Sequence, residues 1–256
     1  GDAPSSVADT RPSGEHAPLS LVGRDDELAA LHASAERAHG ETFAEARVVV
    51  VAGPSGVGKS TLVSHFLDEL EHATTGALVL SGRCYENEAV PYKALDAVID
   101  RLASALRRMS PADREQVMGD DAALIARSFP AFGVVTAGGG TTTDAIEGRE
   151  RRQTFGALRA LLGRLAARAP LVVAVDDLQW SDADSAALLE EIVRPPEAPR
   201  LLFVGVTRAG ADEDNAVVRA LAAAARAGSG PKVARVEVAA LSPARAHELA
   251  AALLRR

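Results

Sequence analysis

The sequence has a single cysteine, Cys84, which excludes an internal disulfide and a metal cage built from cysteines. Its six histidines never fall at a ligand spacing such as His-Glu-x-x-His, so a zinc-hydrolase helix is excluded as well. Lysine is scarce: Lys59, Lys93 and Lys232 are the only three, and the heavy use of arginine and alanine is the codon bias expected of a GC-rich bacterial genome. Acidic residues outnumber basic ones, 35 to 28, and the net charge of -7 lacks the surplus that a dedicated nucleic-acid surface needs. Long apolar runs are missing. Residues 171–175 fall far short of the ~20 residues of a bilayer crossing, and the N-terminus has no signal-peptide core, so no membrane is expected and the reducing cytoplasm is the expected compartment. No protein-kinase motif set and no DNA-reading helix-turn-helix is present.

What is there is a globular pattern, since 47% apolar residues in 256 can fill a real core. Residues 1–19 mix Pro, Gly, Ser and charge without periodicity and read as a disordered tail or linker. A helix opens at Asp25, with Leu28, Leu31, Ala35 and Ala38 at helical spacing and acids in its first turn. The β-branched run at 47–52 reads as a strand buried on both faces. A helix striped by Leu62, Phe66 and Leu70 follows, then a strand at 77–84 and a helix at 92–108 with Leu95, Val98, Ile99 and Leu102 inward. The signal weakens between 111 and 150, where only a short helix at 122–127 and a low-complexity loop, AGGGTTTD, stand out. Phe155, Leu158, Leu161, Leu162 and Leu165 stripe another helix; strands at 171–177, 201–207 and 233–238 alternate with helices at 185–193 and 217–226. Five buried strands separated by helices predict an α/β fold: a parallel sheet covered on both faces with right-handed crossovers.

The strongest local signal is Gly53-Pro54-Ser55-Gly56-Val57-Gly58-Lys59-Ser60, a full G-x-x-x-x-G-K-[ST] match between a strand and a helix, with Thr61 continuing it. Such a loop wraps phosphates with its backbone N–H groups, and the helix starting at Lys59 turns its positive end toward them. Lys59 is expected to reach the β and γ oxygens and the Ser60 hydroxyl to bind Mg²⁺. The apolar strand LVVAV ends in Asp176-Asp177 and resembles a Walker B strand, with Asp176 assigned to the metal and Asp177 to the attacking water. The alternative for Asp177 is to cap the following turn.

With these motifs in place the chain resembles the ATPase module of STAND-class and related AAA+ proteins. The box LVGRDDEL at 21–28 resembles the V-G-R-[ED]-x-E-L segment of that class, which implies that Val22, Gly23 and Arg24 line the nucleotide. By the same resemblance Thr207-Arg208 holds the sensor-1 position, with Arg208 reading the γ-phosphate. DDLQWSD at 176–182 and GRCYENEAVPYKAL at 82–95 resemble modules attached to Ser/Thr protein kinases or large transcriptional activators. The resemblance implies a P-loop domain over 20–240, strand order 5-1-4-3-2, and over 241–256 the first helix of a truncated lid, with Ser242 as its cap and Ala246, Leu249, Ala250, Leu253 and Leu254 as its apolar stripe.

The resulting expectation is a Mg-ATP-dependent, slowly hydrolysing ATPase switch, binding ATP or ADP, within a longer regulatory protein and acting on attached effector domains. The other readings are a nucleotide-loaded scaffold that hydrolyses nothing and a DNA-associated initiator-type ATPase, which the acidic balance disfavours. Nucleic acid is not an expected partner of this stretch, and self-association through the apolar stripe is an open alternative. Trp180 reads as a packing anchor, Cys84 as a small core residue, and His65 and His72 as surface positions.

Overall fold

The computed structural model describes residues 21–39, 45–73, 76–86, 92–133, 148–210, 215–228 and 230–254. The expected tail at 1–19 and the AGGGTTTD loop lie outside the described residues. Five parallel strands form one sheet in the order β2-β3-β4-β1-β5, from β1 (Arg47–Gly53), β2 (Leu78–Arg83), β3 (Leu171–Asp176), β4 (Leu201–Arg208) and β5 (Lys232–Glu237). This is the predicted order. The register sets Gly53 of β1 opposite Arg208 of β4, and Arg83 of β2 opposite Asp176 of β3, so the chemistry-bearing residues gather at the C-terminal ends of the strands.

Alternation along the strands explains the two cores. In β1 Val48 and Val50 face one side and Val49 and Val51 the other, all at most 3% exposed, as expected of a strand covered on both faces. One face is covered by α1 (Asp25–His39) and α2 (Lys59–Ala73), whose Leu31, Ala35, Leu62 and Phe66 meet Val172, Leu202 and Val204. Its opposite face is covered by α3 (Asp96–Arg108), α6 (Gly148–Ala166) and α7 (Ala183–Ile192), with α8 (Ala216–Arg226) beside α7. Fully burying a leucine or phenylalanine stabilises by roughly 1.5–3 kcal/mol, and these faces hold most of the large buried side chains.

Three expectations change. The two edge strands are not buried: in β2 only Leu80 is buried, and in the fifth strand Lys232, Ala234, Arg235 and Glu237 are exposed and only Val236 is buried within its bounds. The fifth strand pairs with β1 alone, and charge along its free edge discourages further strand pairing. A second correction is α4 (Pro111–Met118), absent from the hydrophobic pattern because only Val117 and Met118 are buried. Its signal was the cap: the Ser110 side chain accepts from Asp113 N–H at 3.1 Å, and Pro111 stands at the first helical position. The expected short helix after it is α5 (Ala122–Ser128). Third, α3 starts at Asp96 rather than at 92, because Tyr92 has φ 61° and cannot continue a right-handed helix.

The last helix, α9 (Pro243–Leu254), is capped as expected, with Arg245 N–H donating to Ser242 Oγ. None of its residues is buried; Leu249 and Leu253 turn toward the P-loop while Leu254 is 88% exposed. Cys84 is buried, and its N–H extends the β2–β3 ladder to Asp176 O at 3.0 Å. No helix among the described residues is long and apolar enough to cross a membrane.

Candidate functional site

The loop from Gly53 to Gly58 leaves β1 and enters α2 with backbone that only glycine adopts freely. Gly56 and Gly58 have φ of 79° and 91°, and a Cβ at either position would meet nothing within 4 Å. The glycines are therefore not needed to fit neighbouring protein; they curve the backbone around open space, which is the shape of a phosphate cradle. Gly53 is constrained in the opposite way, since a Cβ there would stand 2.2 Å from Val238 O. Leu62 N–H bonds Gly58 O at 2.9 Å, and the N–H groups of the helical turn before it have no intrahelical acceptor.

Lys59 is nearly buried, and its Nζ donates to Gly53 O at 2.9 Å and Pro54 O at 2.8 Å. Burial lowers its pKa from the ordinary lysine value and Arg208 lowers it further, while Asp176 and Asp177 act against both. Arg208, exposed at the end of β4 beside Gly53, is thus in electrostatic range of Lys59 and likewise of Asp177. Pro54, Ser55, Ser60 and Thr61 are exposed and Val57 half-buried.

Ser60 and Asp176 border one cavity of about 410 Å³, which runs on past Ser64 and Ser81 to Arg83 and Arg101. Asp176 Oδ1 accepts from Asp177 N–H at 2.9 Å, which fixes the orientation of its carboxylate. Among the described residues no group of three or more His, Cys, Asp or Glu could hold a metal by itself. One carboxylate and one hydroxyl beside a phosphate cradle is the donor set of a cation shared with phosphate oxygens, so the residues fit Mg²⁺.

Asp177 has left-handed backbone, φ 53° and ψ 41°, a region aspartate tolerates better than most residues. Its carbonyl, not its side chain, closes the following turn by accepting from Trp180 N–H at 3.0 Å. The carboxylate is held elsewhere. Oδ2 accepts from Arg83 Nε at 2.8 Å and Nη2 at 2.5 Å, and Oδ1 accepts from Gln179 Nε2 at 2.9 Å. Burial raises the Asp177 pKa, but the Gln179 and Arg83 hydrogen bonds and the charges of Arg83 and Arg208 outweigh it and hold the carboxyl below the ordinary value. The sequence reading does not single out Arg83 or Gln179; Gln179 stands two residues from Asp177, whereas Arg83 is brought to it only by the β2–β3 register, which seats residue 83 against residue 176.

The 21–24 segment packs on the other flank of the loop. Leu21, Val22 and Arg24 border a cavity of about 210 Å³ with Val57, Gly58 and Thr61, closed on its far side by Leu249 and Leu253 of α9. Arg24 is buried, and its guanidinium donates to Glu27 Oε1 at 2.9 Å, Val57 O at 2.9 Å and Ala239 O at 2.7 Å. It therefore clamps the P-loop to the chain leaving β5. Gly23 has φ 69°, and a Cβ there would stand 3.0 Å from Arg245 Cγ of α9. Trp180 is half-buried against the core beneath the turn, and His65 is on the surface of α2 beside Glu69 at 3.1 Å. His72 accepts no assigned role either; its Nδ1 contacts Asp68 O of the same helix.

Comparison with known proteins fits this geometry. Solved structures with the same fold include the Aeropyrum pernix ORC2 protein in its ADPNP-ADP complexes, at TM-score 0.52 and 15% identity over 93% of this chain and 53% of that one. Cdc6p from Pyrobaculum aerophilum matches at TM-score 0.56 and 14% identity, over 96% of this chain and 52% of that one. The Aeropyrum pernix ORC1 protein in complex with DNA matches at TM-score 0.53 and 17% identity, over 95% and 52%. The chain spans about half the length of these structures, and at such identities the likeness is one of fold. No curated protein matches the chain. The family model described as AAA ATPase domain matches residues 20–204, the greater part of the chain, and so this protein belongs to the AAA ATPase domain family.

Proposed function

We propose that the chain is a Mg-ATP-binding switch module that hydrolyses slowly and governs effector domains of a larger regulatory protein. The observation that carries this reading is the open cradle of Gly56 and Gly58 at the start of α2, with Ser60 and Asp176 facing one cavity beside it. The first-turn N–H groups of α2 and Lys59 bind the β and γ phosphates. Ser60 and Asp176 hold Mg²⁺, which neutralises charge on the phosphate oxygens. Val22 and Val57 offer apolar surface to the base, and Arg24 keeps the loop in register through Val57 O. Arg208 supplies a second cation toward the γ-phosphate.

Asp177 orients the attacking water, and its surroundings account for slow turnover. A carboxylate oxygen has more than one acceptor site, so Asp177 can take a water proton while still held by Arg83 and Gln179. Its depressed pKa makes it a weak base. Arg83 is 56% exposed in this pair, and a half-exposed ion pair contributes only about 0–1 kcal/mol, so separating it costs little.

The test is phosphate release from Mg-ATP by the parent and by Arg83→Ala across pH. Hydrolysis that needs ionised Asp177 is present above its pKa and lost as pH falls through it. In the parent that loss lies below the ordinary aspartate range. In Arg83→Ala two of the effects that lower the pKa are gone while burial still raises it, so the acid limb of turnover is expected to move to higher pH than in the parent. An acid limb that does not move would remove Asp177 from the hydrolytic role, and no phosphate release at any pH would favour the non-hydrolysing scaffold. A DNA-associated role has the fold likeness behind it, but a net charge of -7 weighs against a phosphate-backbone surface.

A further inference from the structure

Among the described residues two non-glycine positions have left-handed backbone, Tyr92 with φ 61° and Asp177 with φ 53°. Such residues persist where the surroundings over-determine them, most of all a tyrosine, whose side chain, unlike that of aspartate or asparagine, cannot bond the neighbouring backbone. Both flank the same junction. Downstream of Asp177 the short turn Leu178–Trp180 leads to Asp182, the N-cap of α7. Asp182 Oδ1 accepts from Ser185 N–H at 2.5 Å, an ordinary cap. Its Oδ2 does something a cap does not need: it accepts from Lys93 N–H at 3.0 Å, across 89 residues of chain. Ser185, fully buried, takes the next N–H of the same segment, Ala94, on its Oγ at 3.1 Å.

The rear of the segment is held as firmly. The Tyr92 ring stands edge-on to Phe129 at 6.0 Å and Phe155 at 5.7 Å between centroids. Arg151 of α6 lies over Tyr92 and pairs with Asp184 in the first turn of α7 at 2.6 Å. At the other end of the same two stretches, Arg83 and Asp177 form their ion pair. The chain leaving β2 and the chain leaving β3 are thus joined twice, once at the carboxylate and once at the α7 cap.

We infer that Asp182 is a positioning residue for Asp177: by holding Lys93 N–H on one oxygen and the first turn of α7 on the other, it couples the segment entering α3 to the turn that carries the hydrolytic carboxylate. Its kinetic consequence rests on the proposed hydrolysis, but the coupling itself does not.

Asp182→Asn separates the two oxygens. Asparagine caps helices as well as aspartate does, so the bond to Ser185 N–H survives, while the amide NH₂ then faces Lys93 N–H, donor against donor. Trp180, the single tryptophan, lies inside the turn and reports its arrangement by fluorescence. In the full chain Asp182→Asn is expected to lower kcat for Mg-ATP by about tenfold or more, with KM within about twofold, and to shift Trp180 emission. Ser110→Ala, which removes the remote cap of α4, is expected to lose thermal stability with neither change. Parent kcat and parent emission in Asp182→Asn would overturn the inference and leave Asp182 a cap only. If the parent shows no turnover, it is the hydrolysis reading that fails; Trp180 emission of Asp182→Asn against the parent then decides the coupling, a shift upholding it and no shift refuting it.

Discussion

Lys59→Ala will lose ATP binding by about 100-fold or more while the protein keeps its fold. The ammonium lies within the loop on the carbonyls of Gly53 and Pro54, and charged hydrogen bonds to two phosphate oxygens contribute about 1.5–3 kcal/mol each, or two to four orders of magnitude together. On the folding side little is lost. Lys59 Nζ donates to the carbonyls of Gly53 and Pro54, and its own burial disfavours its charge, so removing it relieves one cost as it removes two contacts. The helix beneath is anchored by Leu62 and Phe66, both fully buried, rather than by Lys59. Titration calorimetry with ATP and a thermal melt on the same sample separate the two effects. Unchanged affinity in a folded variant would show that nucleotide does not use this loop.

Asp177→Asn will retain Mg-ATP yet hydrolyse it about 100-fold to 10,000-fold more slowly, the range over which a positioned acid or base contributes. The amide cannot take a proton from water. Its oxygen can still accept from Arg83 or from Gln179, so the left-handed turn keeps part of its support and binding is spared. Asp176→Asn supplies the contrast: because Asp176 is the residue assigned to the metal, that change is expected to weaken the Mg²⁺ dependence of binding itself. Single-turnover phosphate release beside equilibrium binding distinguishes them. Asp177→Asn turning over at the parent rate would mean that the carboxylate serves the turn and Arg83 rather than the water.

How much of this was legible in the sequence follows from how far apart the interacting residues lie. The P-loop is contiguous, so spacing alone located Gly53 to Ser60 between a strand and a helix. Strands β1, β3 and β4 are buried on both faces and announce themselves as unbroken apolar runs. At β5 the same reasoning misled, since Val233, Val236 and Val238 look like a buried run although the strand lies at the sheet edge. Helix α4 has too few apolar residues to show a stripe and was visible only through Ser110 and Pro111. The distant partners of Asp177 and Asp182 were out of reach for a different reason. Arg83 lies 94 residues from Asp177, and Lys93 lies 89 from Asp182; both pairings exist because β2 lies beside β3 in a particular register. The family resemblance placed Arg24 at the nucleotide but could not show that its guanidinium is engaged by Glu27, Val57 and Ala239.

The proposed function requires that this chain hold an adenine nucleotide at the loop from Gly53 to Ser60. It is tested most directly by denaturing the purified protein, before and after incubation with Mg-ATP, and identifying the released nucleotide by mass spectrometry. ADP or ATP is expected in about equimolar amount from the parent and none from Lys59→Ala. Release of no adenine nucleotide after incubation, or equal release from both proteins, would contradict it.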